Sequence, residues 1–139
     1  MSEPRDPRGE EARRLLREAG EECWVATGIL NHEKSPPRSA CFHAHLAAEK
    51  ALKATLTIHG IAYRKIHDLL ELWESLPSDE RNKFDEADLH ALLGWDTFGR
   101  YERPIEPTGQ EAVDRVDASL RVVDVARRLV KPGVDEQST

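Results

Sequence analysis

Apolar residues recur at intervals of three and four along most of the chain, which is the period of amphipathic helices. The first stripe begins after Asp6, a suitable N-cap, and Pro7, and it predicts a helix over residues 7–31. The second stripe is rich in alanine. It predicts a long helix that starts at Ser35 and stops at Gly60, a residue suited to the left-handed position after a helix. Because alanine lets neighbouring helices approach closely, this second helix is predicted to be central.

Two shorter stripes follow. Asp68 and Glu71 have the spacing of a capping box, and they open a short third helix that ends before Pro77. Ser78 opens a fourth helix, whose acidic first turn suits the positive end of a helix dipole. The leucines that follow continue this fourth helix up to Gly94.

The last stripe begins at a second capping box, formed by Thr108 and Glu111, and predicts a fifth helix that ends near residue 131. Residues 94–108 separate the fourth and fifth helices and have no helical period. They contain Trp95 and two further aromatic residues, which either plug the bundle or serve a ligand. A loop of this length inside a compact domain is often functional.

Length and composition agree with an all-α fold. A chain of 139 residues forms one modest core, so the sequence predicts a single domain over residues 1–139 with an ordered core at about 7–131 and a flexible tail at 132–139. A two-domain enzyme is excluded. The predicted architecture is a five-helix, up-and-down bundle with a long irregular loop between helices four and five.

Charge is distributed unevenly along the chain. The formal net charge is −6, which argues against a protein that coats DNA and requires a local basic patch for any polyanion. Residues 66–92 carry eight acids against two bases, whereas residues 49–65 carry four bases against Glu49 alone. Lys50 and Lys53, three residues apart on the second helix, are therefore candidates for an anion site. The alternative is a solvated edge on which Glu49 forms a weak surface pair.

Cysteines and histidines do not suggest a metal centre. Cys23 and Cys41 both fall at apolar helical positions and are predicted to be core thiols. Cys41, His45 and Glu49 have chelating spacing, but no second pair is suitably placed, so no metal and no cofactor are expected. The chain also lacks a nucleophile elbow, a Walker loop and a dinucleotide fingerprint. No apolar signal or membrane-spanning run is present, which favours a cytoplasmic protein without membrane contact.

Three short motifs occur in a fixed order. Residues 47–54 read AAEKALKA, residues 67–69 read His-Asp-Leu, and Arg100 and Tyr101 follow the fourth helix. This order resembles the HEPN family, although Glu102 and Arg103 stand between Tyr101 and Pro104, where the family motif has its proline immediately. The resemblance extends over nearly the whole chain.

The resemblance implies a small prokaryotic helical domain that dimerises and is often encoded beside a minimal nucleotidyltransferase, in toxin-antitoxin or defence systems. Catalytic HEPN proteins are metal-independent ribonucleases with an arginine followed four to six residues later by a histidine, late in the domain. This chain has no histidine after Arg100. Arg38 and His43 have the spacing but lie at the start of the second helix, which is the wrong place. His67 is a substitute base only if it lies near Arg100.

The sequence therefore supports three alternatives. The first is a HEPN protein that binds a nucleotide or RNA phosphate between the second helix and the 94–108 loop. Its candidate site residues are Lys50, Lys53, His67, Arg100 and Tyr101. The second is a dimeric interaction module without a ligand, because arginine and aromatic residues also anchor protein interfaces. The third is a metal-independent ribonuclease toxin.

Overall fold

The computed structural model describes residues 5–95 and 106–130. Within these ranges the chain is helical and has no β-strand, which confirms the predicted all-α class. The same ranges contain the helices α1 (Pro7–Leu30), α2 (Pro37–Ile58), α3 (Leu69–Glu74), α4 (Ser78–Arg81), α5 (Glu86–Ala91) and α6 (Gly109–Val130). The three long helices match the first, second and fifth predicted ones closely.

Helix α2 is central, as its alanine content predicts. It packs along both α1 and α6, and it also contacts α3. Small side chains on α2 shorten the distance at which helix axes pass one another. The fully buried ones are Ala40, Ala44, Ala47, Ala48, Ala51 and Ala54. Leu52 and Leu56 supply the larger buried side chains of the same helix.

Side-chain caps begin two of the long helices as predicted. The Gly9 amide donates to the Asp6 carboxylate at 3.1 Å at the start of α1. At α6, the Glu111 amide donates to Thr108 Oγ1 at 3.0 Å, and the Thr108 amide donates to Glu111 Oε1 at 2.8 Å. These bonds satisfy amides that have no partner within the helix.

Helix α2 ends at Ile58, and Gly60 follows its cap residue as the predicted left-handed stop. Gly60 has a φ of +69°, in the left-handed region that glycine tolerates best. The Gly60 amide donates to the Thr57 carbonyl, and the Ile61 amide donates to the Leu56 carbonyl, both at 3.0 Å. This pair of bonds is a Schellman motif, which turns the chain away from the helix axis.

Two predicted caps are corrected by the structure. Helix α2 begins at Pro37 without a side-chain cap, because Ser35 Oγ lies 3.2 Å from the His32 ring instead. Asp68 does cap α3, but the Glu71 carboxylate does not accept the reciprocal hydrogen bond from the Asp68 amide. Glu71 accepts two hydrogen bonds from Arg64, at 2.9 and 2.6 Å, so the predicted capping box is only half formed.

The prediction of one continuous fourth helix is wrong. Residues 82–85 divide this segment into two short helices, α4 and α5. The break turns Phe84 into the core, where it is buried. Asp85 then starts α5 by accepting a hydrogen bond from the Ala87 amide at 2.9 Å. The loop predicted over residues 94–108 falls mainly on residues 96–105, which lie outside the described residues.

Both cysteines are core residues, as predicted. Cys23 and Cys41 are buried and neither forms a disulfide. Burial raises the pKa of the Cys23 thiol, which keeps it in the neutral form. In the part of the chain that the structure describes, no helix is both long enough and apolar enough to cross a bilayer.

Candidate functional site

A buried carboxylate on α2 organises the polar side chains of this region. Glu49 lies on the inner side of α2 and is almost fully buried. Its Oε2 accepts a hydrogen bond from Lys53 Nζ at 2.8 Å, and its Oε1 accepts one from His67 Nδ1 at 2.8 Å. His45 Nε2 lies 3.7 Å from the same Oε1. Three nitrogen groups therefore surround one carboxylate.

The surroundings of Glu49 keep it ionised. Burial raises the pKa of the carboxyl group, but the hydrogen bonds from His45, Lys53 and His67 outweigh burial and bring the pKa to about 2. A carboxylate with so low a pKa is fully charged at neutral pH. It therefore acts as a fixed negative charge and a permanent hydrogen-bond acceptor.

His45 joins three segments of the fold. Its ring is 1% exposed. Nδ1 lies 2.8 Å from the Leu92 carbonyl, and Nε2 lies 3.1 Å from the His67 carbonyl. Both partners are carbonyl oxygens, so a ring nitrogen that carries a hydrogen donates it to one of these segments. These two contacts fix residues 66–68 and the end of α5 against α2.

A cleft of about 640 Å³ opens beside this cluster. It is lined by His45, Lys65, Ile66, His67, Asp68, Leu70, Leu93 and Gly94. The His67 side chain is 62% exposed although its Nδ1 is bound to Glu49. Because that carboxylate only accepts, Nδ1 must carry a hydrogen, which leaves Nε2 as the ring nitrogen available to a ligand.

Two side chains at the cleft can bind an anion. Lys65 is exposed at its edge, and His67 stands beside it. Asp68 is the acid among the described lining residues, and its Oδ1 accepts the amides of Leu70 and Glu71 at 3.0 and 3.2 Å. That carboxylate is therefore already occupied as the cap of α3.

The two lysines that are candidates for an anion site do not line this cleft, and each is bound to an acid. Lys50 Nζ donates to Glu22 Oε2 of α1 at 2.8 Å and lies 3.5 Å from Glu18. Lys53 instead binds Glu49, and its Nζ lies 5.8 Å from the centre of the Tyr63 ring. Acids on α1 and in the core draw the two ammonium groups to different partners.

Two of the predicted site residues, Arg100 and Tyr101, lie outside the described residues. Trp95 is described and is half-buried, one residue after the cleft-lining Gly94.

The arginine and histidine with ribonuclease spacing have separate partners. Arg38 Nη1 donates to Glu106 at 2.6 Å, whereas His43 Nδ1 lies 2.7 Å from Glu22 on α1. The two side chains are thus held by acids that belong to different segments. Among the described residues, no three of the His, Cys, Asp and Glu side chains are arranged to hold a metal ion.

Sequence reasoning assigned no role in the site to two residues that build it. Glu49 was assigned to a possible surface pair, and His45 only to a possible chelating pair. The signal is present in the sequence, since positions 41, 45, 48, 49, 52 and 56 form one helical stripe of buried residues. A histidine and a glutamate inside an alanine-rich buried stripe indicate a paired polar cluster.

Known proteins are similar to this chain both in sequence pattern and in fold. The family model for the HEPN domain matches residues 12–134. TT1696 from Thermus thermophilus superposes with a TM-score of 0.70 at 24% identity, over 86% of this chain and 98% of that one. ST0689, an archaeal HEPN homologue, superposes with a TM-score of 0.65 at 20% identity, over 87% of this chain and 98% of that one. No curated protein matches the chain significantly.

Proposed function

The chain belongs to the HEPN family, and from that premise we propose that it binds the phosphate group of a nucleotide or of RNA in the cleft beside His67. The observation that carries the proposal is the state of His67. Its ring is exposed at the cleft, yet it is held in one orientation by a buried carboxylate. A ring fixed in this way is pre-organised for a ligand, since little side-chain entropy is lost on binding.

A cationic side chain at the edge of the cleft supports a phosphate ligand. Lys65 supplies this exposed ammonium. As an imidazolium, His67 donates from Nε2 to a phosphate oxygen, and as a neutral ring it accepts at Nε2 from a bound hydroxyl.

Arg100 and Tyr101 complete the proposed site. Both residues follow Gly94, which lines the cleft, by no more than seven positions. Arginine binds phosphate oxygens through two parallel hydrogen bonds, and tyrosine stacks on a base. In the proposal Arg100 holds the phosphate and Tyr101 holds the base.

The proposed setting is a homodimer that works with a minimal nucleotidyltransferase in a toxin-antitoxin-like system. The resemblance of the chain to the HEPN family is the support for this setting. A nucleotidyltransferase encoded in the neighbouring reading frame and co-purifying with this chain is the expected result. A chain that stays monomeric and purifies alone when the two frames are co-expressed would contradict it.

Binding is tested by titrating the purified chain with ATP and with a short single-stranded RNA in a calorimeter. We expect saturable binding of at least one ligand. We also expect His67→Ala and Arg100→Ala each to weaken it about tenfold or more, because a charged hydrogen bond is lost. The matched control is His90→Ala, which removes another exposed histidine that pairs with a surface acid, Glu86, at 3.2 Å.

The outcomes are distinct. Unchanged affinity in His90→Ala with reduced affinity in His67→Ala supports the cleft. No binding of either ligand, or equal losses in the two histidine variants, contradicts the proposal. Thermal unfolding of each variant checks that His67→Ala remains folded.

A second function, a metal-independent ribonuclease, is favoured by the same His67–Glu49 pair. A carboxylate that orients an imidazole is the arrangement by which enzymes position a general base. His67 Nε2 would take the proton of a 2′-hydroxyl, whose oxygen then attacks phosphorus while the bond to the 5′-oxygen breaks and that oxygen takes a proton from water. Arg100 would stabilise the charge on the phosphoryl oxygens.

RNA cleavage in the presence of EDTA tests this second function. The expected product ends in a 2′,3′-cyclic phosphate, and a substrate with a single 2′-deoxy position is not cut there. Activity lost in His67→Ala and kept in His90→Ala supports the ribonuclease. Intact RNA after prolonged incubation with the wild-type chain contradicts it.

A further inference from the structure

The side chains that line the cleft differ in chemistry along the chain. Lys65 and His67 are basic, Asp68 follows with a carboxylate, and Leu70 and Leu93 are apolar. A nucleotide has a similar succession of parts, which are a charged phosphate, a ribose with hydroxyl groups and a base with an apolar ring face. The cleft volume of about 640 Å³ lies in the range of sites that enclose a whole small ligand.

Asp68 uses only one of its two carboxylate oxygens in the fold. Oδ1 accepts both amides that the carboxylate caps, those of Leu70 at 3.0 Å and of Glu71 at 3.2 Å. Within residues 5–95 and 106–130, Oδ2 has no hydrogen bond and no ion pair. Because Asp68 is exposed and lines the cleft, Oδ2 is the acceptor that this residue can offer to a ligand.

A cation near Asp68 is already bound to another acid. Arg64 is close enough to Asp68 to be influenced by its charge. Its Nε and Nη2 nevertheless donate to Glu71, at 2.9 and 2.6 Å. Among the described residues, no direct ion pair therefore neutralises the Asp68 carboxylate.

The position of this carboxylate limits what it can bind. Asp68 directly follows His67, which is the proposed contact of the phosphate. Two anions at short range repel each other, so Oδ2 must face a hydrogen-bond donor of the ligand and not its phosphate. The part of a nucleotide next to the phosphate is the ribose, whose hydroxyl groups are donors. Acidic side chains also accept the ribose 2′-hydroxyl in dinucleotide-binding sites, so the two groups are chemically matched.

We propose that Asp68 Oδ2 accepts a hydrogen bond from the 2′-hydroxyl of the bound ligand, so that the cleft selects ribonucleotides over deoxyribonucleotides. The 2′-hydroxyl is free both in a nucleotide and within an RNA chain, whereas the 3′-oxygen inside RNA is esterified. It is also the group by which proteins distinguish RNA from DNA. This inference rests on the proposed phosphate site at His67 and adds the class of ligand that the site accepts.

Calorimetric titration in EDTA compares ligands that differ in this hydroxyl. The pairs are ATP with 2′-deoxy-ATP, and a short RNA with a uracil-containing DNA of the same sequence. We expect wild type to bind the ribose form about tenfold more tightly, because the deoxyribose form leaves a charged acceptor without its donor. The affinity for 3′-deoxy-ATP should equal that for ATP.

Asp68→Ser removes Oδ2 and keeps a cap on α3, because serine is as good an N-cap as aspartate. Binding of ATP should weaken about tenfold. Binding of 2′-deoxy-ATP should stay the same or become tighter, since a negative charge near the phosphate is removed. A general loss of folding would weaken both ligands alike. Asp68→Asn is the second variant, which keeps the cap oxygen and the side-chain size and should also lose most of the preference for ATP.

Asp85→Ser is the matched control. Asp85 caps α5 in a similar way, with Oδ1 accepting the Ala87 amide at 2.9 Å. It is also exposed, but it is not among the described residues that line the cleft. Its replacement should leave both affinities and their ratio unchanged, and thermal unfolding checks that each variant is folded.

The outcomes separate this inference from the proposed function. Equal affinity of wild type for the ribose and deoxyribose forms, with both weakened in His67→Ala, overturns the inference and leaves the phosphate site standing. An equal effect of Asp68→Ser on ATP and 2′-deoxy-ATP also overturns it. A loss in Asp68→Ser that appears only when Mg²⁺ replaces EDTA indicates a carboxylate that holds metal-bound phosphate, which contradicts the inference as well. Absence of binding to every ligand contradicts both proposals.

Discussion

Replacing Glu49 by glutamine tests the buried polar cluster. The substitution keeps the shape of the side chain and removes its charge. Lys53 and His67 then each lose a charged acceptor, and the ammonium of Lys53, whose side chain is 16% exposed, keeps its charge without its carboxylate. Removing one partner of a buried ion pair costs about 3–5 kcal/mol.

The pKa of Glu49 gives an independent magnitude. Its value of about 2, against 4.5 for an ordinary glutamate, corresponds to about 3 kcal/mol in favour of the folded, ionised form. Because the pKa is lower in the folded state, this stabilisation is complete above about pH 4.5 and is lost as the pH falls towards 2. At pH 3 the same relation leaves about 1.4 kcal/mol.

Urea unfolding followed by circular dichroism measures the effect. We expect Glu49→Gln to lower the free energy of unfolding by about 3 kcal/mol at pH 7, with a difference from wild type that shrinks on acidification. Glu71→Gln is the control, because Glu71 pairs with Arg64 on the surface, where such a pair contributes about 0–1 kcal/mol. A loss below about 1 kcal/mol at pH 7 in Glu49→Gln, or a difference that does not shrink by pH 3, would refute the reasoning.

Three further predictions concern helix ends and cysteines. Thr108→Ala removes the cap of α6 and should lower the free energy of unfolding by about 1 kcal/mol in urea titrations, whereas an unchanged midpoint would contradict the capping box. Gly60→Ala puts a side chain at a φ of +69° and should cost about 1–2 kcal/mol in the same assay; no loss would mean that the turn relaxes. Cys23 and Cys41 should react with a thiol reagent only at the rate of unfolding, and rapid labelling of the native chain would show that one of them is accessible.

The long helices could be predicted because their signals are local. The caps at Asp6 and Thr108 and the stop at Gly60 depend on residues within one turn of the helix end. The broken fourth helix could not be predicted in the same way. No proline or glycine interrupts residues 78–93, so the break depends on the burial of Phe84 against the rest of the core, which is a tertiary effect.

The site was predicted less completely, and for a similar reason. The sequence predicts His67 as a candidate site residue because it belongs to a short motif. The same sequence predicts its partner Glu49 only as one half of a weak surface pair. The partner of Lys50 lies on α1, 28 positions earlier in the chain, so no local pattern reveals that its ammonium is already bound. Ion pairs between helices follow from packing, and packing has to be known before free and occupied charges can be told apart.

The most direct test of the cleft is nuclear magnetic resonance of the histidine rings during titration with ATP or a short RNA. The account predicts that the ring signals of His67 and the amide signals of residues 65–70 and Gly94 shift together and saturate, while those of His90 stay in place. Saturating ligand that leaves the His67 ring and these amides unperturbed would contradict the central claim.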